Sequence, residues 1–258
     1  MKQLTQFAAC AVAALSVVAC SSEDSAQQDN AKQNTAKGVA TFDGSQPGND
    51  TRALTRTTAT YTLGGDAKVF WSSADKIFVQ DDANTFHQSN AANLYNPSNK
   101  AKAIFSLASG SFTLNNREVR YTGENGTDAN TVTIASTQTQ TTANDFSHLG
   151  TSGDCGMADA AWSNAKNGFA FTLDHKAAYL LFLPRTSNTI LHDCYLTKVE
   201  VNSDNDITST YTLNPVTGKL TGTGSGKKIV VSTVGSGTYA NGFPLTNNAT
   251  SAATNGAY

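Results

Sequence analysis

Charge is in short supply in this chain. Asp, Glu, Lys and Arg make up 15% of its 258 residues, where about 25% is usual for a globular domain. The net charge is −2, which leaves no basic stripe to hold nucleic acid through its phosphates. Helix-favouring Leu, Glu, Lys and Arg are sparse while Thr is abundant, and no segment shows a persuasive 3.6-residue period, so propensity points to strands and turns. The four cysteines include no C-x-x-C, which excludes a thioredoxin-like redox motif and a zinc knuckle. His87, His148, His175 and His192 lack the paired spacing of a zinc site, and no G-x-S-x-G nucleophile elbow is present. The expectation is therefore no metal, no cofactor and no catalytic residue. No apolar run reaches the roughly 18–20 residues needed to span a bilayer.

One apolar run is nevertheless conspicuous. Met1–Gln6 is polar with a single positive charge on Lys2, and Phe7–Ala19 is apolar or small apart from Ser16. That is the build of a secretory signal peptide, residues 1–19. Val17-Val18-Ala19-Cys20 resembles the lipobox of bacterial lipoproteins, which implies cleavage after Ala19 and lipidation of Cys20. The acidic Ser21-Ser22-Glu23-Asp24 that follows resembles the signal carrying some lipoproteins to the outer face of the outer membrane. The expected location is thus the outer membrane, lipid-anchored and exposed at the cell surface. With Cys10 lost in the signal and Cys20 lipidated, Cys155 and Cys194 remain, either as a disulfide permitted by export or as two buried thiols.

Residues 20–50, rich in Gln, Asn, Asp, Ala and Lys, read as a flexible tether in which only Gly38–Phe42 hints at a strand. From Arg56 onward, short stretches alternate β-branched or aromatic residues with small ones. RTTATYTL, AKVFW, DKIFVQ, NTFHQS, AKAIFSL, EVRYT and NTVTIAS are separated by Gly, Asn, Asp, Pro or Ser. This spacing predicts an all-β sandwich. FAFTLDHKAAYLLFLP predicts a strand from Phe169 and then, over Ala177–Leu183, a central strand covered on both faces. ILHDCYLTKVEV predicts another strand, and DITSTYTLNPVTGKLTG a hairpin turning between Asn214-Pro215 and Gly218. Met157–Trp162 suggests a helical turn. The domain reading is 51–202 for a first β-sandwich and 203–258 for the start of a second, truncated at a polar C-terminus.

Three apparent motifs fail on chemistry. Gly222–Lys227 lacks the first glycine of a P-loop and the Ser or Thr after its lysine, so it reads as a hairpin turn. Asp204-x-Asp206 lacks the further oxygen ligands and the glycine that calcium needs, and reads as a solvated turn. Asp81-Asp82 reads as a turn after a strand.

A family resemblance remains. The order of ThrArg at 51–52 and 55–56, WSSADKIFV at 71–79, IASTQTQ at 134–140, GDCGMADAAW, FTLDHKAAYLLFLP at 171–184 and YTLNPVTGKLTG is similar to that of fimbrillin-like, Mfa-like surface lipoproteins and pilus subunits. The resemblance implies transthyretin-like β-sandwiches, two in series, the second incomplete here. It implies assembly by accepting a strand from a neighbouring subunit, with Arg52 or Arg56 as a protease processing position. The implied partners are membrane lipid, other fimbrial subunits, and host or bacterial surface ligands. A glycan-binding lipoprotein of a nutrient-uptake system is the alternative, with Tyr95 and Tyr239 as exposed aromatic candidates and Trp71 and Trp162 reserved for the core. A secreted hydrolase on a β scaffold is a third reading.

Overall fold

The computed structural model describes residues 40–46, 69–96, 99–245 and 256–257. The expected all-β fold is present, and it is built around one nine-stranded sheet. The expected signal peptide, Ala19, Cys20, Arg52, Arg56 and the RTTATYTL strand lie outside the described residues.

Eight strands of the large sheet run in the order β3 (Phe86–Gln88), β2 (Phe78–Gln80), β6 (Asn116–Tyr121), β9 (Gly156–Ser163), β10 (Gly168–Thr172), β1 (Ala40–Ser45), β5 (Asn99–Leu107), β4 (Asn93–Asn96). β11 (Asp174–His175) extends β10's course and also pairs with β9. β1 is a correction to the expected tether. It lies between β10 and β5, parallel to the first and antiparallel to the second, with Phe42 opposite both Phe169 and Phe105. Its polar surroundings concealed it, because one large side chain suffices when the backbone pairs on both edges.

The inward face of the sheet follows the two-residue period of each strand. Phe42, Phe105, Val119, Tyr121, Phe169 and Phe171 are all at most 5% exposed. They surround Trp71, which comes from the loop before β2 and is wholly buried. Its ring meets Phe105, Tyr121 and Phe171 edge-on at 4.9, 5.8 and 6.2 Å. β6 and β5 stand four strands apart in the sheet order, so both can reach Trp71 only if the sheet coils around it. The indole N–H donates to the Gly44 carbonyl at 3.1 Å. Gly44 itself must lack a side chain, since a Cβ there would stand 2.5 Å from the Phe171 ring.

Smaller sheets complete the fold. One runs β15 (Leu220–Thr221), β14 (Ser209–Leu213), β7 (Thr131–Ile134), and another β13 (Lys198–Asn202), β16 (Lys228–Ser232), β8 (Thr137–Thr139). β12 (Tyr195–Leu196) pairs with β17 (Phe243–Pro244). A second cluster, Val132, Cys155 and Leu213 with Met157, Ala177 and Leu220, joins the first of these sheets to the outer side of β9. The hairpin at Asn214 forms as expected, with Gly218 at φ +65.

The expected division after Asn202 is not a division of the sheets. β14 pairs with β7, and β16 with β8 and β13, and residues 33–258 group as one compact unit. Strands after 202 find hydrogen-bonding partners at 131–139 and 195–202, so they pair back onto earlier strands. Three local expectations also change. Met157–Trp162 lies in β9, flanked by strands that take its backbone groups, while the one α-helix among the described residues is the short α1 (Leu149–Ser152). Thr189–Asp193 forms a 3-10 turn capped by Asn188, which accepts from the Ile190 N–H at 3.0 Å. Gly222–Lys227 links strands of different sheets and closes no hairpin between them.

Replacing Trp71 with alanine empties the centre of the coiled sheet and leaves the Gly44 carbonyl without its partner. The expected loss is about 3–5 kcal/mol, measured by urea unfolding. Gly44→Ala should also destabilise, by about 1–3 kcal/mol through overpacking.

Candidate functional site

Ala177–Leu183 was expected to be a covered central strand, and it is instead an extended surface segment. Residues 177, 179, 181 and 183 are half-buried, while 178, 180 and 182 are exposed, the alternation of a strand lying on the body. Leu181 packs on Phe146, and Ala177 on the Val132–Leu213 cluster. Among the described residues its backbone pairs at one place. Phe182 exchanges both hydrogen bonds with Ala257, at 2.8 and 2.9 Å, in an isolated antiparallel bridge. Leu180 is 60% exposed and Ile190, shortly after, 81%. Sequence reasoning failed because a continuous apolar run is the signature of a strand buried on both faces, and the run alone carries no information about what covers it.

A buried polar cluster sits at the root of this segment. Asp154, in the loop between α1 and β9, receives His175 Nδ1 at 2.9 Å and the Tyr179 hydroxyl on the same oxygen. His175 Nε2 meets Gln46 Oε1 at 2.7 Å, just past β1. Nearby, Asp75 is wholly buried, accepting from Tyr121 Oη at 2.7 Å and the Ser72 N–H at 2.6 Å. Burial pushes the Asp75 carboxyl up to about 7, against the hydrogen bonds from Ser72 and Tyr121, with the Asp154 and Glu124 charges adding to the rise. For His175, burial disfavours the imidazolium, but Asp154, Asp75 and Asp174 together outweigh it and the net shift is upward. No periodicity or motif brought Gln46, Asp75, Asp154 and His175 together; the sheet register did.

A second histidine is also held by a carboxylate. His87 Nε2 faces Asp81 Oδ2 at 2.9 Å and its Nδ1 faces Ser109 Oγ at 3.1 Å. The Asp81 carboxylate accepts from the Ala83 and Thr85 N–H groups, so the expected turn is there. The neighbouring Asp82 holds Ser111 and Thr113 of the loop before β6 and Arg117 of β6 itself. Two clefts open elsewhere. One, of about 440 Å³, is lined by Glu118, Asp159, Asp174 and Lys176 with the Pro215–Gly218 turn. The other, of about 270 Å³, is lined by threonines and glycines. Neither reaches His87 or Ser109. Among the described residues no cluster of His, Cys, Asp and Glu has the arrangement of a metal site, and no helix is long and apolar enough to cross a membrane.

Cys155 and Cys194 are both free, so the bridge left open by the sequence is not formed. Cys155 is wholly buried beside β9 and Cys194 is exposed after the 3-10 turn, which also differs from two buried thiols. Burial pushes the Cys155 thiol up to about 12. Among the aromatic candidates, Tyr95 is 54% exposed and donates to Asp43, while Tyr239 is half-buried against Phe243 at 5.3 Å. Trp71 is in the core, and Trp162 packs against it beside Phe169 at 5.3 Å.

No protein-family model, curated protein or solved structure matches this chain.

Two measurements follow from these environments. A carboxyl or imidazole whose folded-state pKa is raised stabilises the fold at pH values below its ordinary pKa and loses that contribution as pH rises through the folded value. Asp75 loses its contribution from about pH 4 to about pH 7 and His175 loses its own above about pH 6.5, so urea stability should fall as pH rises from 4 to 8.5, and Asp75→Asn should flatten the decline below pH 7. Iodoacetamide should label Cys194 in the native protein and Cys155 only after denaturation, read by peptide mass.

Proposed function

We propose that this protein is a non-catalytic cell-surface lipoprotein of fimbrillin type, a pilus component or adhesin that assembles through β-strand addition. The observation that supports it is the Ala177–Leu183 segment. It is apolar, extended and regular in its alternation, and among the described residues its backbone engages one bridge. A strand in that state is a template for another chain, because unpaired N–H and C=O groups and alternating apolar side chains are what β-augmentation uses. Exposed Leu180, Phe182 and Ile190 add apolar area on the same stretch.

The anchor in this reading is an acyl group on Cys20 after cleavage behind Ala19, with outer-membrane lipid as its partner and other subunits or surface ligands as the assembly partners. Arg52 and Arg56 are the processing positions. The glycan-binding alternative needs a platform of clustered aromatics; Tyr95 stands alone and Tyr239 packs inward, so assembly is the better-supported reading.

The test is self-association of the purified protein, read by light scattering and by capture of untagged copies on tagged ones. Leu180→Lys and Phe182→Lys change exposed side chains, so the monomer should fold as before while capture drops at least tenfold. Unchanged capture in both variants, or no association of the native protein at any concentration, would remove this reading. Mass spectrometry of the protein from intact cells should find Cys20 acylated. An N-terminus at Ala53 or Thr57 would mark processing after Arg52 or Arg56.

A further inference from the structure

The assembly segment is fastened at its root by a side chain whose bonding depends on its proton count. Both ring nitrogens of His175 face oxygen acceptors, Asp154 Oδ1 at 2.9 Å and Gln46 Oε1 at 2.7 Å. The imidazolium donates at both as they stand, whereas a neutral ring keeps both only if the Gln46 amide turns to present its N–H. Asp154 also accepts the Tyr179 hydroxyl, and Tyr179 lies inside Ala177–Leu183. The Lys176 N–H donates to the Cys155 carbonyl at 2.8 Å, so the same few residues tie the segment by backbone as well. Gln46 ends the course of β1, Asp154 precedes β9 and His175 lies in β11. One protonated ring therefore joins three elements and the start of the exposed segment.

We propose that the Asp154–His175–Gln46–Tyr179 cluster is a proton-operated latch on the assembly segment, closed while His175 is an imidazolium and loosened when it is neutral. This assigns a regulation to the surface described above and rests on that assembly reading.

The physical reason is that a neutral imidazole leaves the buried Asp154 carboxylate without its cation. With the proton on Nδ1, the Gln46 amide must turn over to meet the bare Nε2; with it on Nε2, the Nδ1 lone pair confronts the Asp154 carboxylate; in either tautomer the carboxylate loses its positive partner. Gln46 and Asp154 are 3% and 4% exposed, so little water is at hand to relieve either state, and a buried carboxylate without its cation is costly. The surrounding charges all bear on this balance. Asp174, in β11 itself, together with Asp154 and Asp75, favours the imidazolium. Glu124 and Asp154 act on Asp75, which Tyr121 of β6 holds. Lys176, the nearest cation along the chain, is paired with Asp174 and not with Asp154. Loss of the His175 proton thus removes the positive charge that offsets Asp154 and Asp75. The cluster relaxes by opening to water, and the segment bound through Tyr179 is freed with it.

Hydrogen exchange resolved by residue tests this in the full chain, with rates corrected for intrinsic base catalysis. The Lys176 and Phe182 amides, which donate to Cys155 and Ala257, should lose at least tenfold protection between pH 6 and pH 8.5, while amides of β6 and β9 keep theirs. His175→Gln should abolish the step. Gln46→Glu, which offers the ring a second carboxylate, should move it to higher pH and guards against a His175 variant that folds poorly. Tyr179→Phe should leave Phe182 weakly protected at both pH values. A flat profile in the native protein, or an unaltered step in His175→Gln, would overturn the latch. Capture between tagged and untagged copies is scored on the same samples. A protection step with no capture at either pH leaves the latch standing and removes the assembly reading, and equal capture at both pH values with no step removes the latch alone.

Discussion

The hydrogen bond from the Trp71 indole to the Gly44 carbonyl, with the aromatic shell around it, is the constraint on which the rest of this fold depends. A nine-stranded sheet with one apolar face needs something to close that face. Here a tryptophan carried in on a loop fills its centre, with Ile77 and Phe112 beside it in the same core, and the sheet coils so that Phe105, Tyr121 and Phe171 reach the indole's edges. The bond to Gly44 fixes the depth of the indole and, with it, the position of β1. Because β1 pairs with β10 on one edge and β5 on the other, it joins the two halves of the sheet, and the indole contact braces it there.

The position of β1 carries consequences to the far end of the strand. Its parallel register with β10 places Ser45 beside Thr172, and the next residue, Gln46, reaches His175. The buried cluster of His175, Asp154 and Tyr179 is thus an extension of the sheet's register, with Asp75 and Tyr121 behind it. A polar cluster at this depth is stable only while each member has a partner, and it lies where the ordered sheet hands over to the exposed apolar segment. Core, cluster and surface segment form one mechanical series.

Much of the strand content was legible from sequence. DKIFVQ, NTFHQS, AKAIFSL, EVRYT and NTVTIAS all contain strands, because β-branched and aromatic residues at a two-residue period have few other ways to bury one face. The hairpin at Asn214 was legible from its turn residues. GVATF was only a hint, since Phe42 is its sole large apolar residue. MADAAW misled because alanine favours a helix, while in β9 the deciding factor is the pairing available on both sides from β6 and β10. AAYLLFL misled in the other direction, its composition satisfying a buried strand that the fold does not supply.

By itself, then, the sequence determined the all-β class, the turns and the residues that prefer an interior, because those follow from backbone preference and side-chain polarity over a few neighbours. Which strands pair, that residues after 202 pair back onto strands before it, that Cys155 and Cys194 are free, and that His175 stands between Asp154 and Gln46 were decided by tertiary structure. Each of those depends on groups far apart in the chain meeting at hydrogen-bonding distance, and no local pattern encodes where a distant partner will stand.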